Sequence, residues 1–278
     1  MTTIAQALRD AVERLTEQRD TARLDAEVLL MHVLDKPRSH LYAWPERRLS
    51  PAELSRFETL LARRVAGEPV AHLTGQREFW SLPLGVTADT LIPRPETEIL
   101  VEQTLAVLPP NEPLRIADLG TGSGAIALAI ARERPRCEVH ATDVSRAALA
   151  VAEANGQALA PGLVRFHLGS WLGALDGTFR VIVSNPPYIA ENDPHATRGD
   201  CRFEPSGALV SGPDGLEAIC EIASGAMTFL DPGGMIALEH GFDQGTRVRD
   251  LLETLGYRQV KTEFDLEGQE RVTMGSRP

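Results

Sequence analysis

The feature that most constrains the fold of this chain is a regular alternation of short apolar segments and helical patterns that begins near residue 114. The segments typical of strands are 114–119, 138–142, 164–167, 181–184, 234–239, 259–264 and 271–275. The segments typical of helices are 125–134, 145–158, 215–230 and 244–255. Strands that alternate with helices imply a largely parallel, doubly wound sheet. We therefore predict an α/β domain over residues 96–278.

The first 75 residues have a different pattern, which is helical throughout. Apolar residues recur at spacings of three and four from Ile4 to Leu15, and again from Leu24 to Val33. Ser50-Pro51-Ala52-Glu53 has the composition of a capping box, and Gly67 is placed to end the helix that follows. These stripes predict a small helical bundle as a separate domain, residues 1–75.

Between these two regions the sequence pattern changes: proline and glycine residues separate short segments from residue 69 to residue 95. Such punctuation favours strands or a hairpin over a long helix. We predict a β-hairpin over residues 76–95 that links the helical bundle to the α/β domain.

Charge is distributed unevenly between the predicted domains. Residues 1–75 contain 11 Lys and Arg and 11 Asp and Glu, whereas residues 76–278 contain 17 and 28. The whole net charge of −11 therefore lies in the larger part. Sequence-independent binding to a phosphate backbone needs clustered Lys and Arg side chains. Because the larger part is acidic, direct nucleic-acid binding is not expected.

Composition also limits the cellular setting and the chemistry. The chain has no apolar run near the roughly 18 residues of a membrane helix, and its mixed-charge N-terminus is unlike a signal peptide. We expect a cytoplasmic protein with no membrane contact. Its three cysteines are widely spaced, which predicts neither a disulfide framework nor a metal site.

A glycine-rich turn, Asp118 to Gly124, follows the first predicted strand of the α/β domain and precedes an alanine-rich helix. Glycines there allow a tight turn and a close approach of the backbone to a ligand. Asp143, at the end of the next strand, is placed to accept hydrogen bonds from ribose hydroxyls. The turn also satisfies a loose dinucleotide pattern. However, its GxGxG spacing, and an acidic Asp118 that could meet an ammonium group directly or through water, favour S-adenosylmethionine over NAD.

The second motif, Asn185-Pro186-Pro187-Tyr188, follows the apolar strand 181–184 at its carboxyl end, where open α/β sheets bind ligands. Two prolines make the segment stiff and rich in acceptors. The Asn185 side-chain oxygen and the Pro186 carbonyl can accept both hydrogens of a substrate NH₂ group, and Tyr188 can stack on the planar group that bears it. The pair of motifs indicates methyl transfer to an amide or aromatic amino nitrogen.

Other residues have both a structural and a functional interpretation. Trp171 is expected either to border an adenine ring or to pack in the core. Arg94, Glu96 and Glu98 either act directly or, with Thr97, cap the first helix of the domain. His240 is interpreted as a structural histidine, and the polar loop 190–213 is well placed to be a substrate lid.

These motifs together resemble the peptide chain release factor glutamine methyltransferases, the PrmC/HemK family. The resemblance runs through nearly the whole chain and rests on segments 76–80, 92–98, 118–124, 185–188, 203–205, 239–241 and 270–273. The Asn-Pro-Pro-Tyr motif is shared with adenine and guanine N-methyltransferases, so an exocyclic amine of DNA or ribosomal RNA remains an alternative acceptor. The proline-rich segment 92–98 and the helical N-terminal domain are more specific to the family.

The resemblance implies a Rossmann-like methyltransferase that methylates N5 of the glutamine in the Gly-Gly-Gln loop of class 1 release factors. Because the neutral N-terminal helices give no support to RNA binding, we expect this domain to dock the protein substrate. The resemblance also implies contacts with S-adenosylmethionine, and with the product S-adenosylhomocysteine, from Gly120, Thr121, Gly122, Ser123, Gly124, Asp143, Trp171 and Asn185. Residues 185–188 would hold the glutamine amide. One departure is Ser170, which stands where the family pattern often has an acidic residue, and which weakens the expected contact with the adenine amino group.

Overall fold

The computed structural model describes residues 2–16 and 21–278, which form two compact units, residues 1–76 and 77–278. Within the described residues, the first unit has five helices. These are α1 (Ile4–Thr16), α2 (Ala22–Leu34), α3 (Arg38–Ala43), α4 (Pro51–Val65) and α5 (Val70–Thr74). Their apolar faces form a core that includes Ile4, Leu15, Leu29, Leu30, Phe57 and Leu61.

The predicted capping box at the start of α4 is confirmed. The Ser50 hydroxyl accepts the Glu53 amide at 3.2 Å, and the Glu53 carboxylate accepts the Ser50 amide at 2.7 Å. Because two otherwise unpaired helix-end donors are satisfied reciprocally, α4 begins at a defined residue. The helix ends at Val65, and Gly67 has a positive φ of 102° just beyond it.

Two expectations for this unit are wrong. Leu24 is 50% exposed, because it lies roughly 200° around α2 from the buried Ala26. The segment after Pro69, expected to begin the strands, forms the short helix α5. Proline just before a helix is compatible with the first turn, and Ala71 and Leu73 bury the inner side of that turn.

The hairpin is present but shorter than the predicted residues 76–95: it consists of β1 (Gln76–Phe79) and β2 (Leu82–Gly85), and residues 86–95 form no strand. Trp80 and Ser81 form its turn with positive φ angles of 51° and 58°, a backbone twist that suits a two-residue hairpin. Phe79, Leu82 and Leu84 are buried in the main core of the second unit. The hairpin is therefore built into the α/β unit through its apolar side chains.

The second unit continues with alternating helices and strands, as the sequence pattern predicts. Its elements are α6 (Glu98–Val107), β3 (Arg115–Leu119), α7 (Ala125–Glu133), β4 (Glu138–Asp143), α8 (Arg146–Leu159), β5 (Val164–Leu168), β6 (Phe179–Ser184), α9 (Glu217–Phe229), β7 (Leu230–Glu239), α10 (Gly245–Thr254), β8 (Arg258–Phe264) and β9 (Glu270–Ser276). Ser145 caps α8 as expected, since its hydroxyl accepts the Ala148 amide at 3.2 Å.

These strands form one seven-stranded sheet with the order β5-β4-β3-β6-β7-β9-β8. The pairs from β5 to β7 are parallel, and β9 runs antiparallel to both β7 and β8. The order reverses between β3 and β6, so these two strands flank the switch point of a doubly wound sheet. The largely parallel α/β fold is confirmed.

Both faces of the sheet are covered, which explains its nearly continuous apolar strands. Alternate residues of β3 and β6 face two different cores. Ile116 and Val183 join the core that includes α7, whereas Ala117 and Ile182 join the core that includes α9. In the part of the chain that the structure describes, every helix is too short or too polar to cross a membrane.

Candidate active site

The carboxyl ends of β3 and β6 bring the two sequence motifs together. The strands pair in parallel with Leu119 opposite Ser184, so the glycine turn and Asn185 leave the sheet side by side. Helices flank both faces, and the crevice at a switch point is where open α/β sheets bind ligands. The motifs lie 65 residues apart in sequence at the paired positions, and only the sheet register makes them neighbours.

The glycine turn begins with a residue that only glycine suits. Gly120 has a φ of +70°, and a Cβ there would lie 3.0 Å from the ring of Trp171. Its amide donates to the Thr142 carbonyl at 2.9 Å, which fastens the turn to the end of β4. Trp171 itself has a positive φ of 43°, and its indole donates to Glu221 at 3.1 Å. The Trp171 indole therefore packs closely against the backbone of Gly120.

Asp143 follows from β4 and is held by backbone amides on both of its oxygens. Oδ2 accepts the Gly122 amide at 2.9 Å, and Oδ1 accepts the Ser145 amide at 2.8 Å. Each carboxylate oxygen has a second lone pair, so the group can still accept hydroxyl hydrogens from a ligand. Next to it Val144 is 76% exposed, an apolar surface that a planar ring could cover.

Asp118 lies deeper than these residues, with its side chain fully buried. Its Oδ2 accepts the Thr121 hydroxyl at 2.6 Å and the Ala127 amide at 3.2 Å, whereas Oδ1 has no partner among the described residues. Burial raises the pKa of Asp118 to about 7, against the two hydrogen bonds that lower it; the Asp143 charge raises it further. The Asp118 carboxyl therefore stabilises the glycine turn through its hydrogen bonds with Thr121 and Ala127.

A cavity of about 290 Å³ lies over this edge of the sheet. Of the residues predicted from the sequence, it is lined by Gly120, Thr121, Gly122, Ser123, Asp143, Trp171, Asn185 and Pro187. It is also lined by Ser170, Thr97 and Val144. Asp118, Gly124, Pro186 and Tyr188 are absent from the described lining. Gly124 instead serves close packing, because a Cβ there would meet Leu128 at 3.1 Å and Ala152 at 3.3 Å.

Asn185 is the best-defined polar group in the part of the cavity next to residues 185–188, where the methyl-accepting nitrogen is expected; this part is called the acceptor side. Its Nδ2 donates to the Thr97 hydroxyl oxygen at 3.0 Å. Its Oδ1 is buried and lacks a hydrogen-bond partner within residues 2–16 and 21–278. A buried polar atom without a partner is unfavourable by about 1–3 kcal/mol, and such atoms in native folds call for an explanation such as a ligand. One end of this amide is thus held and the other is available as an acceptor.

The rest of the motif supports Asn185. Pro186 is buried, and the Tyr188 carbonyl accepts Gln244 Nε2 at 3.0 Å. The Tyr188 hydroxyl lies 3.4 Å from Glu239 Oε1, and burial together with the Glu239 charge raises the pKa of this phenol. Tyr188 therefore stays protonated at neutral pH and acts as a donor toward Glu239.

The family-specific segments meet next to the cavity. Glu204 is buried, and its carboxylate accepts the Ile92 amide at 2.8 Å and Arg94 Nη2 at 2.6 Å. This bond joins the proline-rich segment to the loop predicted as a lid, in which three short 3₁₀ helices span Pro194–Thr197, Gly199–Phe203 and Ser206–Ala208. Pro205, Gly207 and Ala208 line the cavity. Glu98 accepts the Trp80 amide at 2.8 Å and so fixes the hairpin.

The residues of this site that were not identified from the sequence as site residues include Val144, Thr97 and Glu239. Thr97 was considered as a helix cap, and that expectation is wrong. Its φ and ψ of −65° and −18° are already helical, whereas a capping residue needs extended angles. Glu239 ends β7 at the same sheet edge as Asn185, a signal that strand order would have supplied. His240 has partners on both ring nitrogens, Gly241 and Thr273, as expected of a structural histidine.

The fold and the cavity define a methyltransferase of the α/β class. A family model described as the methyltransferase small domain matches residues 96–200. A methyltransferase from Pyrococcus furiosus shares the fold, with a TM-score of 0.55 and 21% identity over 79% of this chain and 98% of that one.

The particular family is clear from nearer relatives. The PrmC N-terminal domain model matches residues 6–75. The release factor glutamine methyltransferase of Vibrio cholerae is 52% identical over 98% of this chain and 96% of its own length. That of Escherichia coli is 49% identical over 96% of both chains. The chain belongs to the release factor glutamine methyltransferase family.

Within the described ranges, no group of three or more His, Cys, Asp or Glu side chains is arranged to hold a metal ion.

Proposed function

We propose that this enzyme transfers a methyl group from S-adenosylmethionine to N5 of the glutamine in the Gly-Gly-Gln motif of class 1 peptide chain release factors. The observation that carries this proposal is the Asn185 amide, whose nitrogen is held by Thr97 and whose buried oxygen has no partner in the described part of the chain. The names of relatives with about half of their residues identical support the release factor as substrate.

The donor side of the cavity suits S-adenosylmethionine. Asp143 would accept the ribose hydroxyls, Val144 and Trp171 would border the adenine, and the backbone of Gly120–Gly124 would face the methionine part. We assign Asp118 to the support of this turn through Thr121, which itself lines the cavity. When bound, S-adenosylmethionine supplies an electrophilic sulfonium methyl group and leaves as S-adenosylhomocysteine.

The acceptor side must orient a weak nucleophile. The lone pair of an amide nitrogen is delocalised, so it attacks a methyl group only when it is held in line with it. Asn185 Oδ1 and the Pro186 carbonyl would each accept one hydrogen of the glutamine NH₂ group and stabilise the positive charge that develops on nitrogen. Positioning of this kind contributes about 7–11 kcal/mol in favourable cases.

The acceptor nitrogen gains the methyl carbon as the bond from that carbon to sulfur breaks, and afterwards one of its two hydrogens leaves as a proton to water. The positive charge that develops on nitrogen makes those hydrogens acidic, and the two carbonyl oxygens stabilise this charge, because hydrogen bonds from a cationic donor are stronger. Asn185 and Pro186 thus serve both orientation and charge stabilisation, and no strong base is required before transfer.

We assign the first unit to docking of the protein substrate. It has its own apolar core, a neutral sequence, and exposed large side chains that include Tyr42 and Trp44, at 54% and 58% exposure. Aromatic side chains are favoured at protein interfaces, whereas the absence of excess cations gives no support to nucleic-acid binding.

The experiment that tests the function combines the purified enzyme, methyl-labelled S-adenosylmethionine and a purified class 1 release factor. We expect one labelled glutamine in the Gly-Gly-Gln motif, located by mass spectrometry of the digested factor. A factor with Ala in place of that glutamine should remain unlabelled. Persistent labelling of this variant would reject the proposed acceptor.

A parallel reaction with ribosomal RNA and DNA tests the alternative acceptor, an exocyclic amine. Label retained in nucleic acid after protease treatment, with none in the release factor, would replace the proposed function by that alternative.

A further inference from the structure

Glu239 is a buried carboxylate that the proposed mechanism leaves without a role. It is 1% exposed and ends β7, one residue beyond the pair in which Leu238 lies opposite Ser184 of β6. Glu239 and Asn185 therefore leave neighbouring parallel strands at equivalent positions, where side chains lie on the same face. Buried carboxylates are unfavourable unless their oxygens are satisfied, and Glu239 Oε2 has no direct partner among the residues described.

Thr97 lies between these two groups. It is 4% exposed, and its hydroxyl oxygen accepts a hydrogen from Asn185 Nδ2 at 3.0 Å. The same hydroxyl is one of the groups that lower the pKa of the Glu239 carboxyl, which ends the neighbouring strand β7. A threonine hydroxyl has one hydrogen to donate. When its oxygen accepts from Asn185, that hydrogen is available to the carboxylate of Glu239, whose Oε2 is buried and lacks a partner among the described residues.

The direction of the hydrogen bonds that link Glu239, Thr97 and Asn185 depends on the charge of Glu239. An ionised carboxylate accepts hydrogen bonds only, so Thr97 must donate to it and must present its oxygen to the Asn185 NH₂ group. The Asn185 oxygen then remains available to the substrate. A protonated Glu239 can donate to Thr97 instead, which frees the threonine hydrogen for Asn185 Oδ1. That arrangement favours the reversed amide, whose NH₂ group would oppose the NH₂ group of the substrate.

We propose that Glu239 and Thr97 are positioning residues, in which ionised Glu239 sets through the Thr97 hydroxyl which end of the Asn185 amide meets the acceptor nitrogen. This inference rests on the proposed function, since it takes a glutamine amide as the acceptor. Neither residue touches the reacting atoms. Both act through Asn185. The orientation of the Asn185 amide thus depends on whether Glu239 carries a proton.

The surroundings place the ionisation of Glu239 in an accessible range. Its pKa is raised to about 7, chiefly by burial and also by the charge of the neighbouring Glu96. The hydroxyls of Thr97 and Tyr188 and the cationic Arg271 lower it. Below about pH 7 the carboxyl is protonated and the reversed amide is favoured, whereas above it the productive orientation prevails.

The first test follows the amide itself by NMR, without any substrate. The Asn185 side-chain NH₂ resonances, assigned by their loss in Asn185→Asp, should shift with pH around a midpoint near 7. This shift should vanish in Glu239→Gln and persist in Asp118→Asn, the matched variant that removes another buried carboxyl whose pKa is raised to about 7. A shift that is unchanged in Glu239→Gln, or absent from the wild type, overturns the proposal.

The second test measures kcat against pH at saturating methyl donor. Below pH 7 we expect the wild-type kcat to fall by nearly tenfold per pH unit, as for one required ionisation. Glu239→Gln should show a flat profile about tenfold below the wild-type plateau. Thr97→Val should lose at least about tenfold in kcat, and Thr97→Ser should restore it to within about threefold. Donor Kd should be unaffected in all three variants.

A wild-type acid limb in the kcat of Glu239→Gln, or full activity of Thr97→Val, would contradict the positioning role. Failure of the proposed function is a separate result. An enzyme that leaves the release factor unlabelled at every pH loses its assigned substrate, and the NMR titration still decides whether Glu239 orients Asn185.

Discussion

The donor and acceptor sides of the cavity both have a buried carboxyl whose pKa is raised to about 7, Asp118 and Glu239, but they are constructed differently. Asp118 accepts from Thr121 and from a backbone amide within nine residues of it. Glu239 depends on hydroxyls of Thr97 and Tyr188, which come from other parts of the chain. The donor side uses local backbone, and the acceptor side uses distant side chains.

The two sides should therefore differ in how sensitive they are to substitution. Backbone amides persist through every substitution except one to proline, so binding of the methyl donor should weaken gradually when single side chains are removed. The acceptor side depends on the single oriented amide of Asn185. Removal of that amide should therefore cause a large loss of activity in one step.

Replacement of Asn185 by Ala should lower kcat by about 100- to 1000-fold, the range found for loss of one donor or acceptor that stabilises developing charge. Donor Kd should change by less than about threefold, because the glycine turn and Asp143 remain. Steady-state kinetics and calorimetric titration with S-adenosylhomocysteine measure the two quantities. Equal losses in both would remove the distinction between the two sides.

Replacement of Asp118 by Asn or of Glu239 by Gln should change the pH dependence of stability. A raised pKa in the folded state means that the folded protein binds more protons than the unfolded chain between about pH 4 and 7. Wild-type stability therefore falls as pH rises through this window. At 1.36 kcal/mol per pKa unit, the upper limits are about 3 kcal/mol for Glu239 and about 4 kcal/mol for Asp118.

Each of these two variants should accordingly be more stable than the wild type at pH 8 and similar to it at pH 4. Urea unfolding followed by tryptophan fluorescence measures this in a Trp44→Phe background, which leaves Trp80 and Trp171 as probes of the second unit. A variant that is less stable than the wild type at pH 8 would show that the ionised carboxylate stabilises the fold.

Replacement of Asp143 by Ala should raise the donor Kd by about 10- to 100-fold, as expected for loss of hydrogen bonds to a charged group. It removes the acceptor for the Gly122 and Ser145 amides as well as the proposed ribose contact. At saturating donor, kcat should fall by less than about fivefold. A larger fall in kcat than in affinity would place Asp143 on the acceptor side of the comparison.

Replacement of Gly120 by Ala should destabilise the second unit by about 1–2 kcal/mol, because an L-residue disfavours a left-handed φ. The added Cβ also meets the Trp171 ring at 3.0 Å. Gly173→Ala is the matched control, since a Cβ there has no neighbour within 4 Å in the described structure. Equal urea midpoints for the two variants would contradict the account of Gly120.

The sequence predicted where the glycine turn and Asp143 lie because their arrangement is encoded locally. A glycine turn between a strand and a helix, followed by an acidic residue at the end of the next strand, implies its own arrangement. Thr97 and Glu239 were not recognised, because their relation to Asn185 depends on strand order and on a threonine that is helical rather than extended. The identity of the acceptor came from resemblance, since the Asn-Pro-Pro-Tyr motif alone fits several planar nitrogens.

The register of β3 with β6 has a consequence for how such an enzyme can change. Leu119 opposite Ser184 fixes Gly120 and Asn185 as neighbours, whatever the length of the chain that connects the strands. Insertions into surface loops such as 190–213 leave that pairing intact. Methyl transfer is therefore tied to the sheet, which tolerates little variation, and the choice of substrate can diversify in segments that are free to grow.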